Sequence, residues 1–252
     1  MKFFFDSLDS IDALATKEKF ISKYGQYKAE KADVIIPIGG DGFFLKSLHD
    51  YNQFNKPFYG INYGSIGFLM NNENDDKLDN IISLSQKIEL KALKMKAKNN
   101  KGKIFESIAF NEVSLMRQTH QAAKITININ DIERMNELIC DGILVSTAAG
   151  STAYNLSAHG SIIPLDSKLL ALTPISAFRP RRWRGALLSE ETKINFYVNN
   201  SLVRSSSVTA DHNEFRDIED VEITSSNNIK CDILFDNNHS IEERILKEQF
   251  FS

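Results

Sequence analysis

Cysteine is almost missing from this chain. Cys140 and Cys231 are the only two in 252 residues, far apart and without metal-ligand spacing, which fits a reducing cytoplasm. The five histidines show no zinc-type spacing either. An excess of positive charge is also lacking: 30 Lys and Arg face 33 Asp and Glu, for a net charge of -3 and a pI near 6.0. That balance argues against general nucleic-acid binding. No apolar stretch approaches a membrane span. The opening Met1-Lys2-Phe3-Phe4-Phe5-Asp6 sets an acid after three aromatics, so it reads as a first buried strand and not as a signal peptide. Repeats and low-complexity linkers are absent, as is a Gly-x-x-x-x-Gly-Lys-Ser/Thr loop. What remains is an ordinary globular composition, 42% hydrophobic and 25% charged, long enough for one large domain or two modest ones.

The first third alternates between strand and helix patterns. A strand is expected near Lys2-Phe5, then a helix opened by Ser10 and running toward Tyr24. A strand at Val34-Ile38, a helix from Gly42 to His49, and a strand at Phe58-Ile61 follow. After the polar loop from Asn71 to Asp76, Lys77 to Ser85 reads as helical. Such alternation indicates a parallel sheet with covering helices. From about Leu90 the texture turns β-branched, and Lys124-Ile125-Thr126-Ile127-Asn128-Ile129 alternates as a half-exposed strand should. Further strands are expected at Lys193-Val198, Leu202-Thr209, Val221-Thr224 and Ile229-Phe235, with turns at Asn130-Asp131, Asn199-Asn200 and Asn227-Asn228. The fold class is therefore an α/β N-terminal domain with a parallel sheet, over residues 1–90, and a β-rich, sandwich-like C-terminal domain over 91–235. The tail, 236–252, has the spacing of a short amphipathic helix that docks back on the first domain.

Two constellations carry chemistry. In the first, the apolar run Val34-Ile38 stops at Gly39-Gly40-Asp41-Gly42 and a helix follows. Glycines permit close approach to a ligand, and amides at a helix start suit a phosphate. A bare anion would repel that phosphate, so Asp41 reads either as a proton acceptor or metal holder, or as a simple helix cap. The motif does not continue into the third glycine of a dinucleotide fingerprint. The second constellation runs from Asp141 to Ser157. It holds an apolar strand, a loop of small and hydroxyl residues, and a helix that Ser151 or Thr152 can cap. Small side chains let a flat ligand lie near the backbone, and Tyr154 can pack on a ring or bond to a ribose. The alternative is a capped helix with a core tyrosine.

Together these pieces resemble the NAD kinase family. The matching segments are Gly39-Gly40-Asp41-Gly42, then Gly60-Ile61-Asn62 with Gly64 and Gly67-Phe68-Leu69, then Asn111-Glu112, then the block from Asp141 to Ser157 continuing through Gly160 and Pro164. Thr173-Pro174-Ile175 and Asp211-His212 extend the resemblance over nearly the whole chain. It implies phosphorylation of NAD to NADP by ATP or polyphosphate, with dinucleotide bound between the two domains. It also implies Mg²⁺ on the donor phosphates and a homo-oligomer, a tetramer or a dimer. Asp41 becomes the catalytic carboxylate beside the acceptor 2'-hydroxyl, and Gly39, Gly40 and Gly42 the donor-phosphate loop. Gly42, Phe68, Asn111 and Glu112 are expected at the adenosine half, and Thr152, Ala153 and Tyr154 along the dinucleotide. Asp141 and Ser157 are expected at the nicotinamide riboside with Ser176 nearby, and His212 matches a family histidine. Phe43, Ala148-Ala149 and His159 depart from the family pattern, the last at a position often held by glycine.

In such a transfer positioning and charge neutralisation dominate, so Asp41 needs geometry more than basicity. Arg179-Pro180-Arg181-Arg182-Trp183-Arg184 contains the only tryptophan and reads as a subunit contact, with phosphate binding or a solvated loop as alternatives. Two other functions share parts of the pattern. A diacylglycerol-type lipid kinase has the same glycine-Asp turn, but a lipid site is apolar and not lined with hydroxyls. A non-catalytic dinucleotide sensor would keep the binding residues without needing Asp41.

Overall fold

The computed structural model describes residues 1–63, 67–73, 77–181 and 183–236. Gly64 of the second glycine turn, the end of the Asn71-Asp76 loop, Arg182 and the helix expected in the tail beyond 236 lie outside the described residues. The chain divides into two compact units: Met1–Leu90 with the chain that returns at Ile229, and Lys91–Asn228.

The first unit is built on a parallel sheet of β1 (Phe3–Ser7), β2 (Val34–Gly39) and β3 (Ile61–Asn62), in that order. Every residue of β2 is buried, as a central parallel strand covered on both faces requires. Helix α1 (Ile11–Tyr24) starts where the sequence places it, with Ser10 Oγ accepting from the Ala13 N–H. It lays Phe20 on Phe5, ring centroids 5.6 Å apart and nearly parallel. Phe3, Ile36, Ile38 and Tyr59 complete that core. Helix α2 (Asp41–Tyr51) follows β2 directly, and α3 (Leu78–Leu84) closes the unit. The strand expected at Phe58-Ile61 is regular only at its end. Phe58 donates its N–H to the Asp232 carbonyl and accepts from the Leu234 N–H, while the Tyr59 N–H goes to Ile35. The segment serves two neighbours and no continuous ladder.

The remaining strands are antiparallel, as β-branched alternation predicts. One sheet contains β4 (Gln86–Asn99), β5 (Ile104–Ala109), β7 (Ala123–Ile129), β8 (Ile132–Cys140), β12 (Ile194–Val198) and β15 (Ile218–Phe235), in the order β5-β4-β15-β12-β7-β8. The other contains β6 (Glu112–Arg117), β9 (Gly142–Ser146), β10 (Leu169–Ile175), β11 (Ala186–Ser189), β13 (Ser206–Ala210) and β14 (Asn213–Phe215), in the order β11-β10-β9-β6-β13-β14. Ile125 and Ile127 of β7, Phe196 of β12 and Val221 of β15 form one core with Leu115 of β6, Val145 of β9 and Val208 of β13. Two sheets sharing one apolar interior make this unit a sandwich.

Asn130 and Asp131 both take left-handed backbone, φ 51° and 63°, which is what a two-residue hairpin turn between β7 and β8 needs. Two expectations fail nearby. Leu202 and Val203 are 79% and 64% exposed in a turn opened by Asn200, φ 58°, and the strand begins only at Ser206. Val221-Thr224 and Ile229-Phe235 are not two strands with a turn at Asn227-Asn228. They are one strand of 18 residues in the interior of its sheet, between β4 and β12, a tertiary setting that overrides the local turn preference of the asparagines.

Candidate active site

In the first unit the site begins where β2 ends. The cap of α2 is Gly40, with no side-chain capping bond, and Asp41 is the first helical residue. Asp41 is therefore neither a helix cap nor a bare anion. One carboxylate oxygen accepts from the Phe68 N–H at 2.7 Å and the other from the Leu69 N–H at 3.0 Å, which orients the carboxylate at the positive end of α2. Gly39 and Gly67 are packing glycines: a Cβ on either would lie 2.9 Å from Phe43 Cβ or Met70 Cβ. Gly40 and Gly42 differ, since a Cβ on either meets nothing within 4 Å. Gly40 has φ -110°, open to any residue, so neither backbone nor packing demands glycine there. Phe68 contributes its amide, while its ring is only 4% exposed.

In the second unit Asn111 precedes β6 and Glu112 opens it, and their backbone is fixed from two directions. Asp211, at φ 50° in the turn between β13 and β14, accepts from the N–H groups of Phe110, Asn111 and Glu112 at 2.7, 3.0 and 3.2 Å. On the other side Thr147 donates its N–H to the Asn111 carbonyl at 2.9 Å and its hydroxyl to the Phe110 carbonyl at 2.6 Å. Gly150 presses on the same backbone; a Cβ there would lie 2.4 Å from the Asn111 carbonyl oxygen. All this rigidity ends in two buried oxygens without a partner, Asn111 Oδ1 and Glu112 Oε2. Leaving such atoms unpaired costs about 1–3 kcal/mol each, which makes both oxygens candidates for the donors of a ligand. Burial first, and the Asp211 charge second, push the Glu112 carboxyl up to about 7.

The block after β9 departs from expectation. Helix α4 (Tyr154–Ser157) is a single turn whose cap is Ala153, and neither Ser151 nor Thr152 caps it. Ser151 is fully buried instead, donating to the Ala148 carbonyl at 2.7 Å and accepting from the Ile163 N–H at 3.0 Å. The loop needs that hydroxyl to hold its own return, which outranks capping one turn. Asn155 is a core residue, bonded to the Ser151 and Ser161 carbonyls and to Thr173 Oγ1. Tyr154 stays at the surface with its hydroxyl on Met116 Sδ at 3.6 Å, and its pKa is raised by burial and by the charges of Glu112 and Asp141. Thr152 and Ala153 are half-buried in the turn before it. The Asp141 carboxylate accepts from Arg117 Nε at 2.6 Å.

The second unit thus gathers Asn111, Glu112, Asp141, Tyr154 and, beside Asp211, His212. Ser157 and Ser176 are exposed, and among the described residues no side-chain hydrogen bond joins them to that group. His159 takes φ 62°, the left-handed backbone that explains a glycine preference at its position. Sequence reasoning missed the roles of Thr147, Gly150, Arg117 and Asp211. Thr147 and Gly150 lie in the Asp141–Ser157 block and Asp211 in the Asp211-His212 pair, but nothing local gives any of them its role. At the Arg179–Arg184 loop, the guanidinium carbons of Arg179 and Arg181 sit 5.6 and 5.5 Å from the ring centre of Phe178, itself 52% exposed. Trp183 packs half-buried on the sandwich core.

Residues 110–231 match the family model described as the ATP-NAD kinase C-terminal domain. The chain is 49% identical over 238 residues to the NAD kinase of Xylella fastidiosa (strain 9a5c), covering 94% of this chain and 92% of that protein. The NAD kinase of Rickettsia canadensis (strain McKiel) is also 49% identical over 238 residues, covering 94% and 93%. Two solved structures share the fold. Yeast NADH kinase complexed with NADH has a TM-score of 0.80 at 16% identity, over 100% of this chain and 88% of that one. An NAD kinase from Archaeoglobus fulgidus in complex with ATP has a TM-score of 0.77 at 20% identity, over 100% and 97%. Identity near one half along almost the full length, on this fold and with these glycine turns, places the chain in the NAD kinase family.

Proposed function

We propose that this protein transfers a phosphoryl group from ATP to the adenosine 2'-hydroxyl of NAD, giving NADP. The observation that carries the reading is the pair of buried, unpartnered oxygens on Asn111 and Glu112, rigidly held and suited to ribose hydroxyls. Asp41 is the carboxylate that orients the acceptor hydroxyl and takes its proton late, as the oxygen bonds to phosphorus. The two backbone N–H groups on Asp41 keep it in one orientation for that task. Gly40 and Gly42 leave the space beside that carboxylate that a donor phosphate needs. Asp141 and Tyr154 line the dinucleotide with Thr152, Ala153, Ser157, Ser176 and His212.

Mg²⁺ would be held on the donor phosphates. It would neutralise charge on the leaving phosphate. The work occurs in the cytoplasm, in keeping with two buried free cysteines, and in a homo-oligomer. No helix among the described residues is long and apolar enough to cross a membrane.

The test is an activity matrix: ATP and polyphosphate as donors against NAD, NADH, diacylglycerol and sphingosine, with NADP read by a dehydrogenase specific for it. NADP from NAD and ATP, with inert lipids, is expected. Lipids would leave Asn111 and Glu112 unpaired at about 1–3 kcal/mol each, a discrimination of a few orders of magnitude. Lipid phosphorylation without NADP would overturn the assignment, and NAD binding without turnover would return the sensor.

A further inference from the structure

We infer that Asp211 is the positioning residue of the Asn111–Glu112 pair, acting on the acceptor through their backbone. The inference rests on the dinucleotide reading above and assigns a role to a carboxylate that the reaction itself does not use. Three successive amides, Phe110, Asn111 and Glu112, end on this one side chain, at 2.7, 3.0 and 3.2 Å. Successive amides seldom converge on one point in a strand, where they alternate between opposite sides. The convergence therefore marks a bend made before β6 begins. Asp211 reaches it from left-handed backbone, φ 50°, and its own N–H returns to the Glu112 carbonyl at 3.1 Å. With the backbone clamped in this way, and by Thr147 from the other side, the side chains of residues 111 and 112 project with Oδ1 and Oε2 unpaired.

A second consequence follows from charge. Asp211 faces Glu112 with its charge, Tyr154 from α4 also interacts electrostatically with it, and His212 follows Asp211 in the same turn. The segment that follows β9 brings the Thr147 hydroxyl to the same backbone. Burial and the Asp211 anion both oppose ionisation of Glu112, which therefore titrates near 7. Ionised Glu112 accepts from two ribose hydroxyls at once, so NAD binds better as pH rises through that value. Removing the Asp211 charge moves this acid limb to lower pH.

The experiment compares the parent with Asp211→Asn, Glu112→Gln and the double variant. KM and kcat for NAD are followed across pH, carboxyl NMR reports the Glu112 titration, and thermal melts establish that each variant is folded. Asp211→Asn is expected to raise KM for NAD by about tenfold, the loss of a charge-assisted bond, with a smaller change in kcat. Its acid limb moves to lower pH, Glu112→Gln has no such limb, and the double variant does not differ from Glu112→Gln in pH profile. Superimposable Glu112 titrations in the parent and Asp211→Asn would overturn the inference, as would a fall in kcat at unchanged KM. The NMR titration needs no substrate. A parent inert toward NAD sinks the dinucleotide reading, while the titration still decides whether Asp211 governs Glu112.

Discussion

At the scale of the residue, the two carboxylates assigned to the reaction are held in opposite ways. Asp41 has an N–H on each oxygen, so Asp41→Asn is more than a change of proton affinity. Its amide nitrogen would face a second donor, costing about 1–3 kcal/mol of stability on top of the chemical effect. Turnover should fall by orders of magnitude when measured well below the melting temperature, with NAD binding still measurable by calorimetry. Activity within tenfold of the parent would remove Asp41 from the chemistry. Glu112 is instead buried without a partner and raised to about 7. A carboxyl whose folded pKa lies above its unfolded value binds an extra proton in the native state, so stability is lost as pH rises from about 4.5 toward 7. Glu112→Gln cannot ionise. In the ligand-free protein it should be more stable than the parent at pH 8, by on the order of 1–3 kcal/mol, and close to the parent at pH 5. Urea unfolding at the two pH values decides this; equal differences at both would mean that Glu112 is not held protonated by its surroundings. The same variant should bind NAD less well, the usual exchange of stability against function.

At the scale of the element, the glycines of the strand-to-helix turns fall into two kinds that sequence cannot tell apart. Gly42→Ala places a methyl in open space within α2 and improves helix propensity by up to about 1 kcal/mol. It should melt no lower than the parent and still lose donor affinity, seen as a raised KM for ATP. Gly150→Ala drives a methyl into the Asn111 carbonyl, 2.4 Å away. That variant should lose about 1–3 kcal/mol of stability and weaken NAD binding with it, because the displaced backbone carries Asn111. Melting curves and Michaelis constants on both separate the cases, and a Gly42→Ala variant with normal donor affinity would show that the open space has no occupant.

For the whole molecule, the exposed Phe178 with Arg179 and Arg181 at its ring, and the half-buried Trp183 of the same loop, form the surface on which the proposed assembly can be tested. The edge strand β11 adds the exposed Leu187 in the same sheet as β10. Replacing Arg181 and Trp183 with alanine together should lower the assembly state in sedimentation over a concentration range. An unchanged assembly with weaker nucleotide binding would return the loop to the phosphate-binding reading.

Much was legible in the chain because it depends on near neighbours. Strand, glycine turn and helix from Val34 to His49 follow from periodicity and backbone sterics, and so do the Ser10 cap and the Asn130-Asp131 turn. The order of short motifs identified the family for the same reason, since each motif is a local geometry. What the sequence could not reveal lies in contacts across long stretches of chain. Asn227 and Asn228 look like a turn, yet they lie within one strand in the interior of its sheet. Ser151 looks like a cap, and only Ile163 shows that its hydroxyl closes a loop. Asp41 looks like a bare anion until Phe68 and Leu69 arrive, 27 and 28 residues later. Asp211 is about 100 residues from the amides it gathers. Periodicity and propensity act within a few residues, whereas a buried polar atom takes whatever partner the fold brings. The sequence by itself determined the kinds of element and the chemistry on offer; tertiary structure alone decided which oxygens are bound already and which are not, because partners for buried polar atoms come from distant parts of the chain.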